Sequence, residues 1–155
     1  MKPSLKKAFC FLCGWLLISS LAQAAFNLPK YVYHIAQLKE AQQKAADEQR
    51  VLVFLYSDKA TTCPLCSDAS NDILYSFNNE AVIVYAEYKD WDLLPALVKE
   101  AIRKPEAGTY IPITIVTDCQ AREVISYIPY ERYNRLVLIK QAKEKIKEYS
   151  DTNGK

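Results

Sequence analysis

The stretch Thr61-Thr62-Cys63-Pro64-Leu65-Cys66-Ser67-Asp68 places two thiols three positions apart, shortly after the apolar run Val51-Leu52-Val53-Phe54-Leu55-Tyr56. The apolar run has no alternation, which is typical of a strand that is covered on both faces of a sheet. Pro64 suits the first position of a helix, where its missing N–H has no intrahelical partner in any case. The pattern therefore predicts a buried strand, a loop, and a helix that begins at Cys63 and continues to about Phe77.

The segments on either side of this unit predict a single α/β domain without internal repeats. An amphipathic helix is expected within residues 30–50, because good helix formers combine there with apolar positions at helical spacing. The other expected elements are a buried strand at 81–88, a helix at 93–104, a hairpin of strands 113–117 and 123–127, and a closing helix from 131. Together they predict a four-stranded mixed sheet flanked by helices, in which the first two strands are parallel.

The first 24 residues have the layout of a secretory signal peptide. Lys2, Lys6 and Lys7 precede the apolar stretch 8–18, and Ala22-Gln23-Ala24 supplies small residues at the cleavage positions. The apolar stretch is shorter than the ~20 residues that a membrane-spanning helix needs. We therefore expect residues 1–24 to be removed and residues 25–155 to form one domain, with an uncleaved signal anchor as the alternative.

Charge and cysteine content narrow the function classes. Removal of the leader takes three lysines and no acidic residue, so the 20 basic side chains fall to 17 against 18 acidic ones. A nearly neutral chain gives no indication of nucleic-acid or anionic-membrane binding, because both need clustered positive charge. Export would place the remaining thiols in an oxidising compartment, for which the bacterial periplasm is our first expectation and secretion the alternative.

Three chemistries fit the pair of Cys63 and Cys66. As a redox pair, Cys63 would be the nucleophile, because N–H groups and the dipole at a helix start stabilise a thiolate, and Cys66 would resolve the mixed disulfide. A zinc site needs four ligands, yet the chain has one such pair and a single histidine, His34. A structural disulfide that closes so short a loop constrains the unfolded chain very little. Redox exchange is therefore favoured, with the other two readings open.

In this context the chain resembles the thioredoxin superfamily, and specifically its exported members whose fold opens with a helix in place of the first strand. The resemblance covers roughly residues 36–146 and includes Tyr110-Ile111-Pro112-Ile113-Thr114, which matches the family's cis-proline position. It implies that Pro112 is cis and faces the cysteine pair, keeping metals off the sulfurs. It also implies that the Ile111 backbone pairs with a bound substrate segment. Pro129, in a second Ile-Pro sequence, follows a strand and so does not fit this position.

Two departures from the family pattern leave the direction of catalysis open. Reducing thioredoxins carry a buried aspartate on the strand before the motif, and the matching place here is Phe54 or an apolar neighbour. The Pro-Leu dipeptide between the cysteines matches neither the Gly-Pro of reductive thioredoxins nor the Pro-His of strong periplasmic oxidases.

A third cysteine, Cys119, falls in the turn of the predicted hairpin. A strand rises ~3.3 Å per residue, so Cys119 should lie on the order of 20 Å from Cys63 and cannot resolve its disulfides within one molecule. It is a candidate for an intermolecular disulfide that links two copies of the chain or for a modified thiol, and the alternative is a half-buried bystander. Tyr110 and Tyr130 are expected to border the substrate groove.

The sequence therefore predicts an exported thiol–disulfide oxidoreductase that exchanges disulfides with protein substrates and a redox partner through Cys63 and Cys66, without a bound cofactor. Ile111 and Pro112 would shape its substrate groove. The alternatives are a noncatalytic thioredoxin-like binding module with a permanent Cys63–Cys66 disulfide and, less favoured, a metal-binding dithiol protein.

Overall fold

The computed structural model describes residues 26–153, so the expected signal peptide at 1–24 lies outside the described residues. The regular elements, in chain order, are β1 (Tyr33–His34), α1 (Leu38–Asp47), β2 (Val51–Tyr56), α2 (Pro64–Phe77), β3 (Ala81–Ala86), α3 (Ala96–Ile102), β4 (Ile113–Thr117), β5 (Val124–Ile128) and α4 (Arg135–Asn153). Short 3-10 turns lie at Ile35–Gln37, Tyr88–Leu93 and Pro105–Ala107.

The strands form one mixed sheet in the order β1-β3-β2-β4-β5. Strands β2 and β3 are parallel and pair along their whole length, from Val51 opposite Ala81 to Tyr56 opposite Ala86. Strand β4 is antiparallel to β2, and β5 is antiparallel to β4. The predicted α/β class, the parallel first pair and the antiparallel hairpin are therefore confirmed.

The sheet has one strand more than the four that the sequence predicts. Before the first helix, Tyr33 and His34 pair in parallel with Val84 and Tyr85 of β3. The chain leaves the sheet at once, because the His34 side chain accepts the N–H of Ala36 and caps the following 3-10 turn. A two-residue strand has no room for an alternation pattern, so its extended backbone depends on the edge of β3.

The core has two layers, one on each face of the sheet. On one face, α1 and α3 pack against alternate strand residues such as Leu52 and Phe54. On the other face, α2 and α4 pack against the intervening residues, such as Val53 and Leu55. Every residue of β2 and β3 is therefore buried, which explains why the apolar runs in the sequence do not alternate.

The third helix begins later than the sequence predicts. Residues 88–93 form a 3-10 turn, and α3 begins only after Pro95. Leu94 has an extended backbone, which is the usual conformation of a residue before proline. Within residues 26–153, no helix combines the length and the apolar character that crossing a membrane requires.

Candidate active site

The loop that connects β2 to α2 is fixed by hydrogen bonds to the end of β3. The N–H of Ser57 donates to the carbonyl of Ala86 at 3.1 Å, so strand pairing continues one residue beyond β2. The hydroxyl of Tyr85 donates to the carbonyl of Ser57 at 3.1 Å and accepts the N–H of Lys59 at 2.8 Å. The chain therefore reaches the cysteines along a defined path.

Helix α2 begins directly at the first cysteine. Cys63 has an extended backbone, with φ −83° and ψ 108°, and its sulfur accepts the N–H of Cys66 at 3.3 Å. Its carbonyl accepts the N–H groups of Cys66 and Ser67, each at 3.1 Å. Pro64 occupies the first helical position. The predicted helix, starting at the first cysteine and ending at Phe77, is confirmed.

The two sulfur atoms lie together at the surface. The Sγ atoms of Cys63 and Cys66 are 2.7 Å apart, and both residues are half-buried free thiols. Leu65, between them, is 39% exposed, so the turn that carries the pair is open to solvent on its outer side. An incoming disulfide can therefore reach the pair.

The pKa values of the two thiols are shifted in opposite directions. The pKa of Cys63 is lowered, first by the hydrogen bond from the Cys66 side chain and then by the backbone N–H of Cys66, which together outweigh its burial. The pKa of Cys66 is raised to about 11, first by burial and then by its interaction with Cys63. Cys63 is therefore the thiol that ionises first, as the sequence predicted from its place at a helix start.

The predicted cis-proline is present near the end of β2 that leads into the cysteine loop. The Ile111–Pro112 peptide bond is cis and immediately precedes β4. Its neighbour Ile113 pairs with Tyr56 at the end of β2, where the loop to Cys63 begins. Pro112 is buried, whereas Ile111 is 37% exposed. The catalytic roles of the cysteines and the substrate-binding roles of Ile111 and Pro112 stay predictions.

A small cavity joins this proline to the cysteine helix. Pro112 lines it together with Ala69 and Ile73, which lie on the turns of α2 that follow Cys66. Tyr130 lines the same cavity, and its pKa is raised by burial and then by the charges of Cys66 and Cys63. Tyr130 therefore shares this cavity with Pro112 and with the helix that carries the pair, and its place at the border of a substrate groove stays a prediction.

Gly108 determines how the loop before the cis-proline packs. Its φ of +79° favours glycine, and a Cβ atom there would lie only 2.9 Å from Cβ of Pro129. The loop that leads to Pro112 therefore packs closely against the segment that carries Tyr130.

A buried pair of hydroxyl groups supports the cysteine turn from inside the domain. The Oγ atoms of Ser57 and Ser70 are 2.8 Å apart, and Ser70 donates to the carbonyl of Cys66 at 3.0 Å. Both serines are at most 3% exposed. Neither serine has a distinctive sequence pattern, because only the fold brings the residue after β2 against the second turn of α2.

The strand before the motif carries no acid, as the sequence indicates. Phe54 is 1% exposed and all of β2 is apolar and buried. A carboxylate occurs further along, where an oxygen of Glu87 lies 3.1 Å from the Tyr85 hydroxyl and shares its single proton with the carbonyl of Ser57. The same hydroxyl contacts the backbone of Ser57 and Lys59 in the loop, so Glu87 is linked to the loop through Tyr85.

His34 takes part in a local polar contact. Its Nε2 atom is 3.2 Å from a carboxylate oxygen of Asp90, and its Nδ1 atom caps the following turn. Within residues 26–153, no three or more histidine, cysteine, aspartate or glutamate side chains gather as ligands for a metal ion.

Cys119 lies in the turn between β4 and β5, as predicted, and is half-buried. It lines a cavity of about 490 Å³ together with Arg50, Val51 and Tyr149. Val51 begins β2, whereas the loop to Cys63 starts at the other end of this strand. The structure therefore separates Cys119 from the cysteine pair by the length of the sheet.

Comparison with known proteins supports the fold. No family model matches the chain, and no curated protein matches it either. Among solved structures, the chain is similar to one described as "DsbH Oxidoreductase", with a TM-score of 0.50 and 13% sequence identity. The match covers 84% of this chain and 92% of that chain. At this identity the likeness concerns the fold alone, and the domain has a thioredoxin-like α/β fold.

Proposed function

We propose that the protein is an exported thiol–disulfide oxidoreductase that exchanges disulfides with protein substrates through Cys63 and Cys66. The observation that carries the proposal is the position of the Cys63 sulfur at the start of α2. It accepts a backbone N–H at 3.3 Å and lies 2.7 Å from a second thiol. An ionised thiol beside a protonated one is the arrangement that disulfide exchange requires.

The exchange proceeds in two steps when the dithiol acts as the reductant. The Cys63 thiolate attacks one sulfur of a substrate disulfide, forming a mixed disulfide and releasing the other substrate sulfur as a thiolate. Cys66 then loses its proton to water and attacks the Cys63 sulfur. The Cys63–Cys66 disulfide forms, the substrate leaves as its second thiolate, and both substrate thiolates take up protons. The reverse sequence oxidises a substrate dithiol.

The loop at Ile111 and Pro112 is proposed to hold the substrate segment. Tyr110, at 72% exposed, and Ile111 extend an apolar surface beyond the buried proline. An extended peptide beside this loop would place its own cysteine near Cys63, while apolar neighbours in the peptide would cover these two side chains.

Export to the periplasm is part of the proposal. Its support is the pattern of residues 1–24, with three lysines, an apolar stretch and small residues at the end. The description of the structural neighbour as an oxidoreductase agrees with the proposed reaction class.

A second candidate is a noncatalytic binding module in which Cys63 and Cys66 form a permanent disulfide. One observation favours it, namely that β2 offers only apolar side chains behind the pair and no carboxylate to accept a proton from Cys66. In that case partners would bind along the same exposed surface without exchange.

Redox equilibration tests the two candidates. The full-length chain with Cys10, Cys13 and Cys119 changed to serine is equilibrated with glutathione and dithiothreitol buffers, and the remaining thiols are counted by alkylation and mass. An exchange enzyme should give one two-electron transition at a potential near or above about −270 mV. A pair that stays oxidised throughout these buffers contradicts the proposal and supports the binding module.

Partner trapping tests the substrate class. With Cys66→Ala, the mixed disulfide at Cys63 has no resolving thiol and should accumulate in cells as adducts that reducing agent releases. The double variant with Cys63→Ala is the control and should form none. Equal adduct formation by both variants would show that the cysteine pair does not select the partners.

A further inference from the structure

The buried hydroxyls of Ser57 and Ser70 form a directed chain that ends on Cys66. Ser70 lies four residues after Cys66 on α2, and its hydroxyl donates to the Cys66 carbonyl at 3.0 Å. Its Oγ atom is also 2.8 Å from Oγ of Ser57. A serine hydroxyl has a single proton, and Ser70 gives its own to the carbonyl, so Ser57 is the donor between the two serines. The chain therefore runs from the end of β2 to the residue that carries the second sulfur.

The first member of this chain is held in place by the neighbouring strand β3. The N–H of Ser57 donates to the carbonyl of Ala86, and its carbonyl accepts the hydroxyl of Tyr85, both at 3.1 Å. Ser57 and Ser70 are both buried, and a buried hydroxyl that loses its partner has no water to replace it, which costs free energy. The chain therefore ties Cys66 to the end of the sheet as well as to its own helix.

The position of Cys66 matters most when it resolves a mixed disulfide. Its sulfur lies 2.7 Å from that of Cys63, so attack within the molecule needs little movement. The rate of such an attack depends on how closely the two reacting atoms are held, which is expressed as an effective concentration. Cys63 is stabilised by a separate contact, because its sulfur and its carbonyl accept the N–H of Cys66 at 3.3 and 3.1 Å without either serine.

We propose that Ser57 and Ser70 are positioning residues that hold Cys66 for the resolving step and raise the effective concentration of its thiol toward Cys63. The inference rests on the proposed exchange function and deepens it. Both serines keep their protons, while the proton of Cys66 goes to water. The Cys66 thiolate then attacks the Cys63 sulfur, and the electron pair of the broken bond leaves with the substrate sulfur.

The two steps can be timed separately with dithiobis-nitrobenzoate, an aromatic disulfide whose released thiolate absorbs visible light. The full-length chain with Cys10, Cys13 and Cys119 changed to serine is reduced and mixed with one equivalent in a stopped-flow instrument. The first aromatic thiolate is released when Cys63 attacks, and the second when Cys66 resolves the adduct. Cys66→Ala should show the first phase alone, which assigns the two phases.

Ser70→Ala should slow the second phase about fivefold, which is roughly the value of one buried hydrogen bond, and change the first phase less than about twofold. The equilibrium constant for closing the Cys63–Cys66 disulfide against glutathione should fall by a similar factor, because it measures the effective concentration. Ser57→Ala leaves the bond from Ser70 in place and should give a smaller change in the same direction. Ser57→Thr keeps the hydroxyl and should retain the second phase.

Ser150→Ala is the matched control. Ser150 makes the same kind of bond, to the carbonyl four residues earlier, but on the exposed surface of α4. Its replacement should leave both phases and the glutathione equilibrium unchanged.

A purely structural role would give a different result. If the serines only stabilised the fold, both phases would change together and the glutathione equilibrium would stay the same, and this outcome overturns the inference. An unchanged second phase in Ser70→Ala overturns it as well. If Ser70→Ala fails to fold, Ser57→Ala must still show the selective loss. A parent chain that releases no second aromatic thiolate would overturn the proposed function itself, whereas a parent with two phases and unaffected serine variants would overturn the inference alone.

Discussion

The two ends of the central sheet both carry cysteine, in different surroundings. At the end where β2 leads into α2, the Cys63 sulfur accepts an N–H from the first turn of a helix and touches a second thiol. At the opposite end, Cys119 lies in a turn between two antiparallel strands, beside a cavity of about 490 Å³. Two features at the first end, the neighbouring Cys66 thiol and the backbone N–H at the helix start, both lower the pKa of Cys63 and so favour its action as a nucleophile.

Replacing one cysteine at each end gives the largest expected difference. Cys63→Ser should abolish reduction of insulin disulfides, measured by turbidity with dithiothreitol as the donor, because a serine hydroxyl does not ionise near neutral pH. Cys119→Ser should change the rate less than about twofold, since Cys119 is remote from the pair. Full activity in the first variant, or its loss in the second, would contradict the assignment of Cys63, and not Cys119, as the nucleophile.

The pH dependence of Cys63 alkylation tests how far the Cys66 side chain lowers the pKa of Cys63. The hydrogen bond from the Cys66 side chain is the largest cause of its lowered pKa. Cys66→Ala removes this bond, so the pKa of Cys63 should rise and the thiolate fraction at neutral pH should fall. Iodoacetamide labelling, in the background with Cys10, Cys13 and Cys119 changed to serine, should therefore need a higher pH to reach half its maximal rate. An unmoved midpoint would assign the effect to the helix backbone alone.

Two serines, one buried behind the cysteine pair and one exposed near Cys119, offer a matched test of how much a buried hydroxyl contributes to stability. Ser70 and Ser150 both donate to the carbonyl four residues earlier, but Ser70 is fully buried against Ser57, whereas Ser150 is exposed. Ser70→Ala should lower the free energy of unfolding by about 1–3 kcal/mol, because the Ser57 hydroxyl loses its partner. Ser150→Ala should cost less than about 0.5 kcal/mol. Urea unfolding measures both free energies. Equal losses would contradict the inference that the buried hydrogen bond between Ser57 and Ser70 stabilises the domain.

The smallest expected effect concerns the ion pair that joins α2 to α4. Nε of Arg135 lies 2.6 Å from a carboxylate oxygen of Asp72, and Arg135 is 19% exposed. Arg135→Gln should cost about 1 kcal/mol of unfolding free energy in urea. The control is Lys140→Gln, because Lys140 and Glu144 are 3.9 Å apart and well exposed, and its effect should be close to zero. A loss as large in the control would show that the ion pair of Asp72 with Arg135 stabilises the fold no more than an exposed ion pair does.

Local sequence signals predicted the elements that build the site. Pro64 is favoured in the first turn of a helix and disfavoured in its interior, so the start of α2 could be placed next to Cys63 from the sequence alone. The unbroken apolar run of β2 predicted a strand that is covered on both faces, and the two layers of helices confirm it. The position of Pro112 came from the family resemblance, and the cis bond is present there.

Contacts between distant segments could not be predicted in the same way. The two-residue strand β1 exists because the edge of β3 offers unpaired backbone groups. The hydroxyl contact of Ser57 with Ser70 depends on how α2 packs against β2, and a serine in either place has no distinctive pattern.

The sequence by itself determined that two thiols stand at the first turn of a helix after a buried strand, because helix starts and buried strands depend on neighbouring residues. The tertiary structure alone decided what surrounds those thiols. It placed Pro112 and Tyr130 beside the helix, set buried hydroxyls behind Cys66, and left Cys119 at the far end of the sheet. Burial is the largest cause of the raised pKa of Cys66, and this burial exists only once the chain has folded.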